Sequence, residues 1–141
     1  WALSKFTVNG ISFSSMEQYM MYQKAVCFKD NEIAEKILAT TDVAIIKALG
    51  RQVKGYNDIY WNGVRQLIVY EGLKEKFAQN EELKKQLLDT EKNILAECAV
   101  NDRIWGIGLS MKDSNRLEPE KWRGQNLLGY ALMMVRERIK E

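Results

Sequence analysis

Histidine is absent from this chain. The side chain whose charge changes most readily near neutral pH is therefore unavailable, and any acid, base or nucleophile must be a carboxylate, amine, phenol or thiol. Cysteine is scarce: Cys27 and Cys98 stand far apart in no close-spaced motif. Without clustered sulfur and imidazole ligands a structural zinc is excluded, whereas a carboxylate-bound magnesium is left open by composition. Two thiols without a secretory leader read as buried and reduced, not as a disulfide. No run approaches the roughly 18 uncharged apolar residues that would cross a bilayer, and nothing resembles a signal peptide. The expectation is a cytoplasmic protein with no membrane partner. An excess of one charge is missing too: 21 basic against 19 acidic residues leave a net +2, so no global field recruits nucleic acid. A nucleic-acid substrate would have to be held locally.

What is present is an ordinary globular composition, 46% hydrophobic and 28% charged, at a length that fits one domain spanning residues 1–141. The chain starts at Trp1, which suggests that a few N-terminal residues have been lost. Phe6-Thr7-Val8 and Ile11-Ser12-Phe13 alternate around Asn9-Gly10, a dipeptide suited to the positive φ angles of a type I′ hairpin. Ser14, three residues before Glu17, has capping-box spacing and opens a helix to about Phe28. Asp30 or Asn31 caps a second helix through Ala39, and Asp42 a third that stops near Gly50. Asn57 starts the longest helix, where Trp61, Val64, Leu67, Ile68, Leu73 and Phe77 recur at helical spacing to about Ala78. Asn80 caps another, Glu81 to about Asp89.

Ile94-Leu95-Ala96-Glu97 is a candidate for one further short strand. Apolar periodicity then stops for some twenty residues from Asn101, a long loop for a small domain. The only proline, Pro119, fits the first turn of a helix. A last helix, roughly Gly124 to Lys140, would bury Leu128, Ala131, Leu132, Val135 and Ile139. The fold class expected is mainly α: a compact multihelical single domain with a short N-terminal β-hairpin.

Two segments hold the candidate chemistry. On a helix, Glu17 and Lys24 lie about 20° short of two full turns and about 10 Å apart along the axis, so they share a face. Lysine side chains lean toward the helix N-terminus, bringing the amine nearer the carboxylate. Met20 and Met21 make the stripe between them apolar. Asp102-Arg103-Ile104-Trp105-Gly106-Ile107-Gly108 places a carboxylate and an aromatic plane in a glycine-bearing loop, where a ligand could face both. Plain readings stand beside these. Glu17 could fold back onto its cap residue, Lys24 could snorkel to solvent, and Trp105 could be core. Gly106-Ile107-Gly108 is too short a pattern to define a phosphate cradle. Arg51, Lys54, Arg65 and Arg123 could each grip a phosphate or be surface charge. Glu71, Lys74, Glu75 and Ala78 read as a solvated face.

The ordered set Ser15-Met16-Glu17-Gln18-Tyr19-Met20, Gln23-Lys24-Ala25, Ala48-Leu49-Gly50-Arg51, Lys76-Phe77-Ala78-Gln79-Asn80, the Asp102 to Gly108 segment and Trp122-Arg123-Gly124-Gln125-Asn126-Leu127-Leu128-Gly129 resembles the NADAR domain family. That family includes N-glycosidases acting on early riboflavin-pathway intermediates and hydrolases that remove ADP-ribose from guanine. The resemblance spans essentially the whole chain. It implies a mostly helical domain that hydrolyses the bond between ribose C1 and an amine nitrogen, with Lys24, Glu17 and Asp102 catalytic. The substrate-binding residues it implies are Trp105, Gly106, Gly108, Arg51, Arg65, Arg103, Tyr19 and Asn126. No cofactor and no metal are implied.

In the implied reaction a partly unprotonated Lys24 forms a Schiff base at C1 while Glu17 or Asp102 moves protons. In the alternative, one carboxylate stabilises an oxocarbenium ion and the other activates water. ADP-ribosylated guanine, with ADP-ribosylated DNA or RNA as the candidate carrier, comes before phosphoribosylamino-pyrimidine intermediates, because Arg123 to Gly129 looks more like the stand-alone ADP-ribose members. A non-catalytic ADP-ribose-binding module is a second alternative. Many members carry histidine where this chain has Gln18, so no imidazole role carries over. Of the aromatic-rich strand that usually precedes the hairpin, only Trp1 remains.

Overall fold

The computed structural model describes residues 5–98 and 101–140. Close contacts gather into two compact units, residues 1–84 and 85–141. The elements in chain order are β1 (Phe6–Val8), β2 (Ile11–Phe13), α1 (Met16–Cys27), α2 (Asn31–Leu38), α3 (Val43–Gly50), α4 (Asp58–Ala78), α5 (Glu81–Leu88), two 3-10 turns at Ser114–Leu117 and Pro119–Lys121, and α6 (Leu127–Ile139). The fold is mainly α with an N-terminal hairpin, as the sequence pattern indicates. No helix among the described residues is long and apolar enough to cross a membrane.

In the first unit the hairpin turns on Asn9 (φ 51°) and Gly10 (φ 81°), the left-handed pair that a type I′ turn needs. Phe6 pairs with Phe13, and both rings meet Tyr19 of α1, at 5.8 and 5.3 Å between centroids. The outer edge of β1 is closed by a side chain: Thr7 N–H donates to Gln79 Oε1 at 2.7 Å, and Gln79 Nε2 donates to the Thr7 carbonyl at 2.8 Å. α1, α2 and α3 enclose a second cluster of Ala25, Ile33, Ala34, Ile37, Ile46 and Val53.

Asn57 caps α4 by accepting from Tyr60 N–H at 3.0 Å. The stripe predicted for α4 is rotated, however. Leu67 is 68% exposed, whereas Val69 is fully buried with Trp61, Gly72, Leu73 and Lys76. The Tyr19 ring sets this rotation, because it lies where any side chain at position 72 would project.

The second unit departs from the sequence reading twice. Residues 94–97 form no strand, because their polar groups find partners in one side chain: Asn126 Oδ1 accepts from Glu97 N–H at 2.9 Å and Asn126 Nδ2 donates to the Leu95 carbonyl at 2.8 Å. α6 begins at Leu127 and not near Gly124, because Asn126 adopts the left-handed conformation (φ 54°, ψ 39°), which a helix cannot include. Leu128, Val135 and Ile139 are buried as predicted, while Ala131 and Leu132 are half-buried. Pro119 opens its 3-10 turn at the first position. The buried Arg136 ties α6 to the preceding turn, donating through Nη1 to Thr90 Oγ1 at 2.8 Å and to the Asn93 carbonyl at 2.9 Å.

Candidate active site

The start of α1 decides what Glu17 is free to do. The cap is Ser15, not Ser14: its hydroxyl accepts from Gln18 N–H at 3.1 Å. Gln18, not Glu17, reaches back, accepting from Ser14 N–H at 2.7 Å. The far end of Gln18 donates to the carbonyls of Ile37 and Thr40, pinning α1 to the C-terminal end of α2. Capping therefore falls to a buried amide, and the side chain of the half-buried Glu17 makes no hydrogen bond or ion pair with any described residue.

Lys24 lies two turns further along. Its Nζ donates to the carbonyl of Gly50, the last residue of α3, at 2.9 Å. The ring of Tyr56 faces the same nitrogen, 4.5 Å from the ring centre. Burial lowers the ammonium's pKa below the ordinary lysine range, and the Arg51 guanidinium lowers it further by like-charge repulsion. No carboxylate among the described residues pairs with it. The amine is thus held by a dipole and a ring face, neither of which fixes a proton as an anion would. The structure brings Arg51 to Lys24 while leaving Arg51 itself exposed.

Tyr56 escaped the sequence reading. It sits in the polar stretch between α3 and α4, where neither periodicity nor capping marks it. Its ring packs edge-on against Phe28, 5.4 Å between centroids, and its hydroxyl donates to Asp58 Oδ1 at 2.7 Å. That bond is the main reason its phenol pKa is raised. Arg65 is half-buried on α4. Tyr19 is 2% exposed in the aromatic core, and burial, with Glu71 and then Glu75 adding repulsion, pushes its phenol up to about 12. Its outer edge helps line a groove of about 470 Å³ with Gln23, Leu67, Glu71 and the β1 residues Thr7 and Val8. Tyr19 and Gln23 leave α1 about 100° or more around the axis from the Glu17 and Lys24 line, so this groove belongs to another face.

In the second unit, the Asp102 to Gly108 segment is built from satisfied backbone. Asp102 Oδ1 accepts from the N–H groups of Ile104 and Trp105, at 3.1 and 2.8 Å, which folds the loop on itself. Each carbonyl from Arg103 to Ile107 accepts a backbone N–H from the 123–128 stretch, at 2.7 to 3.1 Å. The first amides of α6, at Leu127 and Leu128, are consumed in this way, so that helix start is not an open anion site. Gly124 is demanded by the approach: a Cβ there would run into the Gly106 carbonyl. Gly129 likewise faces the Leu95 carbonyl and the Asn126 amide.

The segment thus brings together Asp102, Arg103, Trp105, Gly106, Gly108 and Asn126. Trp105 is half-buried, Arg103 exposed, Gly106 and Gly108 buried, and Asn126 0% exposed. Cys27 and Cys98 are free, half-buried thiols. No group of three or more His, Cys, Asp or Glu among the described residues could hold a metal ion.

This is a mainly helical protein whose α1 holds a half-buried amine and a half-buried carboxylate, in a chain without histidine. The chain belongs to the NADAR domain family, whose domain matches residues 1–140. It is 41% identical over 133 residues to an N-glycosidase of Acanthamoeba polyphaga mimivirus, covering 92% of this chain and 78% of that protein. It is 35% identical over 135 residues to a riboflavin biosynthesis protein of Vibrio vulnificus, covering 96% of this chain and 33% of that longer protein. The NMR structure of Escherichia coli YbiA is similar with a TM-score of 0.79 at 29% identity, over 99% of this chain and 74% of that one. YbiA of that species carries the name N-glycosidase.

Proposed function

We infer that this chain is an N-glycosidase, and we propose that it cleaves the bond between ribose C1 and an exocyclic arylamine nitrogen through a Schiff base on Lys24. The observation that carries the reading is the Lys24 amine, half-buried, without an anionic partner among the described residues and with its pKa lowered by burial and Arg51. Family membership and the names of the relatives support the class of reaction.

The substrate class follows from the chemistry. A secondary arylamine on C1 can open the sugar ring: the C1–O bond breaks, the ring oxygen takes a proton, and C1=N forms. The Lys24 ammonium gives one proton to Glu17 and adds to C1 as the neutral amine; that proton and the one the adding nitrogen then sheds both pass through Glu17 to the departing nitrogen, which leaves as a neutral amine. The C1–N bond then breaks with its electron pair staying on the amine, leaving a protonated C1=Nζ iminium. Water adds to C1, the C1–Nζ bond breaks, and the sugar leaves as an aldehyde that closes again. Glu17 takes the shuttle role because its carboxylate is uncommitted among the described residues, whereas one Asp102 oxygen already holds the loop.

Within this class, guanine ADP-ribosylated on its exocyclic amine is the first candidate, free or carried on DNA or RNA. The second, a phosphoribosylamino-pyrimidine, is favoured by the Vibrio relative. Arg123 to Gly129 loses weight as an argument between them, because Gly124, Asn126 and Gly129 have packing reasons to be there. Purified protein incubated with each compound, and with a nucleoside joined through a ring nitrogen, tests the proposal by chromatography of the released base. Release from an exocyclic arylamine alone is the expected result. Equal release from the ring-nitrogen nucleoside, which has no N–H with which to form a neutral imine, would sink the covalent route.

A further inference from the structure

We propose that the ring of Tyr56 is a positioning residue for this reaction, holding the positive charge on Lys24 Nζ both in the resting ammonium and in the iminium that replaces it. The inference rests on the Schiff-base reading above and adds a residue that the family resemblance did not supply. Three observations on the first unit carry it.

The ring is close enough: 4.5 Å from Nζ to the ring centre lies within the range of about 6 Å over which an aromatic face attracts a cation. It is fixed from two sides, by the edge contact with Phe28 and by the hydroxyl on Asp58 at the first residue of α4. It is also the one ring that faces the cation among the described residues, where the other polar partner of Nζ is the Gly50 carbonyl.

Atom counting fits this arrangement to the whole cycle. The ammonium has three N–H bonds and the iminium one, so a single donor is left after the amine departs. That donor can stay on the Gly50 carbonyl at 2.9 Å while the ring face continues to meet the positive charge. A carboxylate in the ring's place would hold the proton too firmly for Lys24 to attack. A ring face and a carbonyl dipole stabilise the cation and still let it deprotonate. The charged groups near this pair are Arg51 beside Lys24, and Asp58 and Arg65 beside Tyr56.

The test uses the full chain with Tyr56→Phe and Tyr56→Leu, on whichever arylamine riboside the wild type turns over. It reads kcat and KM across pH and the borohydride-trapped adduct on Lys24 by mass spectrometry. Tyr56→Phe keeps the ring and is expected to stay within about threefold in kcat, while Tyr56→Leu is expected to fall about tenfold or more, with KM little changed. Because the ring favours the ammonium, its removal should also move the acid limb of the Tyr56→Leu profile to lower pH while the plateau drops. A loosened fold would not couple those two changes. Tyr56 is 42% exposed, so the Leu variant should fold; if circular dichroism shows otherwise, Tyr56→Met takes its place.

Wild-type kcat and an unmoved limb in Tyr56→Leu overturn the proposal, as does a Tyr56→Phe variant that falls as far as Leu. A wild type that turns over without ever yielding an adduct overturns the Schiff-base reading itself. An adduct in the wild type with an unaffected Leu variant overturns this inference alone.

Discussion

The face of α1 and the 102–108 loop read alike in the sequence, as short runs mixing a carboxylate with apolar residues, but they differ in what their polar groups are doing. On α1 the backbone is satisfied within the helix, its cap is served by Ser15 and Gln18, and the side chains of Glu17 and Lys24 make no ion pair with any described residue. In the loop the backbone is the busy part: its carbonyls from Arg103 to Ile107, an Asp102 oxygen and the Asn126 amide are all taken up in holding the chain. A motif on a helix can spend its side chains on chemistry because the helix satisfies the main chain. A motif in a loop must first satisfy its own backbone.

The largest effect that would break this contrast is on activity. Lys24→Ala should lower turnover of the arylamine riboside by about a thousandfold or more, while its chemical denaturation midpoint stays close to wild type. Residual turnover within tenfold of wild type would move the chemistry elsewhere. In the loop the balance reverses. Asn126→Ala leaves the Leu95 carbonyl and the Glu97 N–H without partners and places alanine at a positive φ. A loss of about 2–4 kcal/mol in unfolding free energy is expected. A urea titration indistinguishable from wild type would show that the loop does not depend on this amide.

The contrast can also be sharpened within one helix turn. Ser15→Ala should cost about 1 kcal/mol of stability by removing the cap, with kcat unchanged, whereas Glu17→Gln should leave the melting temperature alone and reduce kcat. Exchange of those two outcomes would return Glu17 to a capping role. The smallest effect is electrostatic. Arg51 lowers the Lys24 pKa, so Arg51→Ala lets it rise toward the ordinary value and shrinks the neutral fraction at a given pH. The acid limb of the pH–rate profile should move to higher pH, opposite in direction to the shift expected for Tyr56→Leu. A limb left where it stands in wild type by Arg51→Ala would show that the Arg51 charge does not reach the amine.

Much of the architecture was legible because it is written in local rules. Asn9-Gly10 marked the hairpin, Asp42 and Asn57 marked helix starts, and Gly50 a helix end, each through backbone angles or amide counting that depends on neighbours in the chain. The errors occurred where a distant partner competed. Two adjacent serines could each cap α1, and the carbonyls of Ile37 and Thr40, offering Gln18 a second set of bonds, go with the choice of Ser15. Leu67 and Val69 both suit a buried stripe, and the Tyr19 ring against Gly72 turned α4 toward Val69. The run at 94–97 has strand composition, but Asn126, some thirty residues later, supplies its hydrogen bonds.

The sequence by itself determined the chemical inventory: without histidine, the groups available for acid, base or nucleophilic work are carboxylates, amines, phenols and two separate thiols. Helical periodicity then set Lys24 and Glu17 on one face, since that follows from 3.6 residues per turn. Only the tertiary structure decided what state those groups are in. Burial of Lys24, the Gly50 carbonyl, the Tyr56 ring and the Arg51 charge all come from α3 and the segment after it, more than twenty residues away along the chain. A proton's affinity depends on solvent exclusion and on charges and dipoles within a few ångströms, and those distances exist only once the chain has folded.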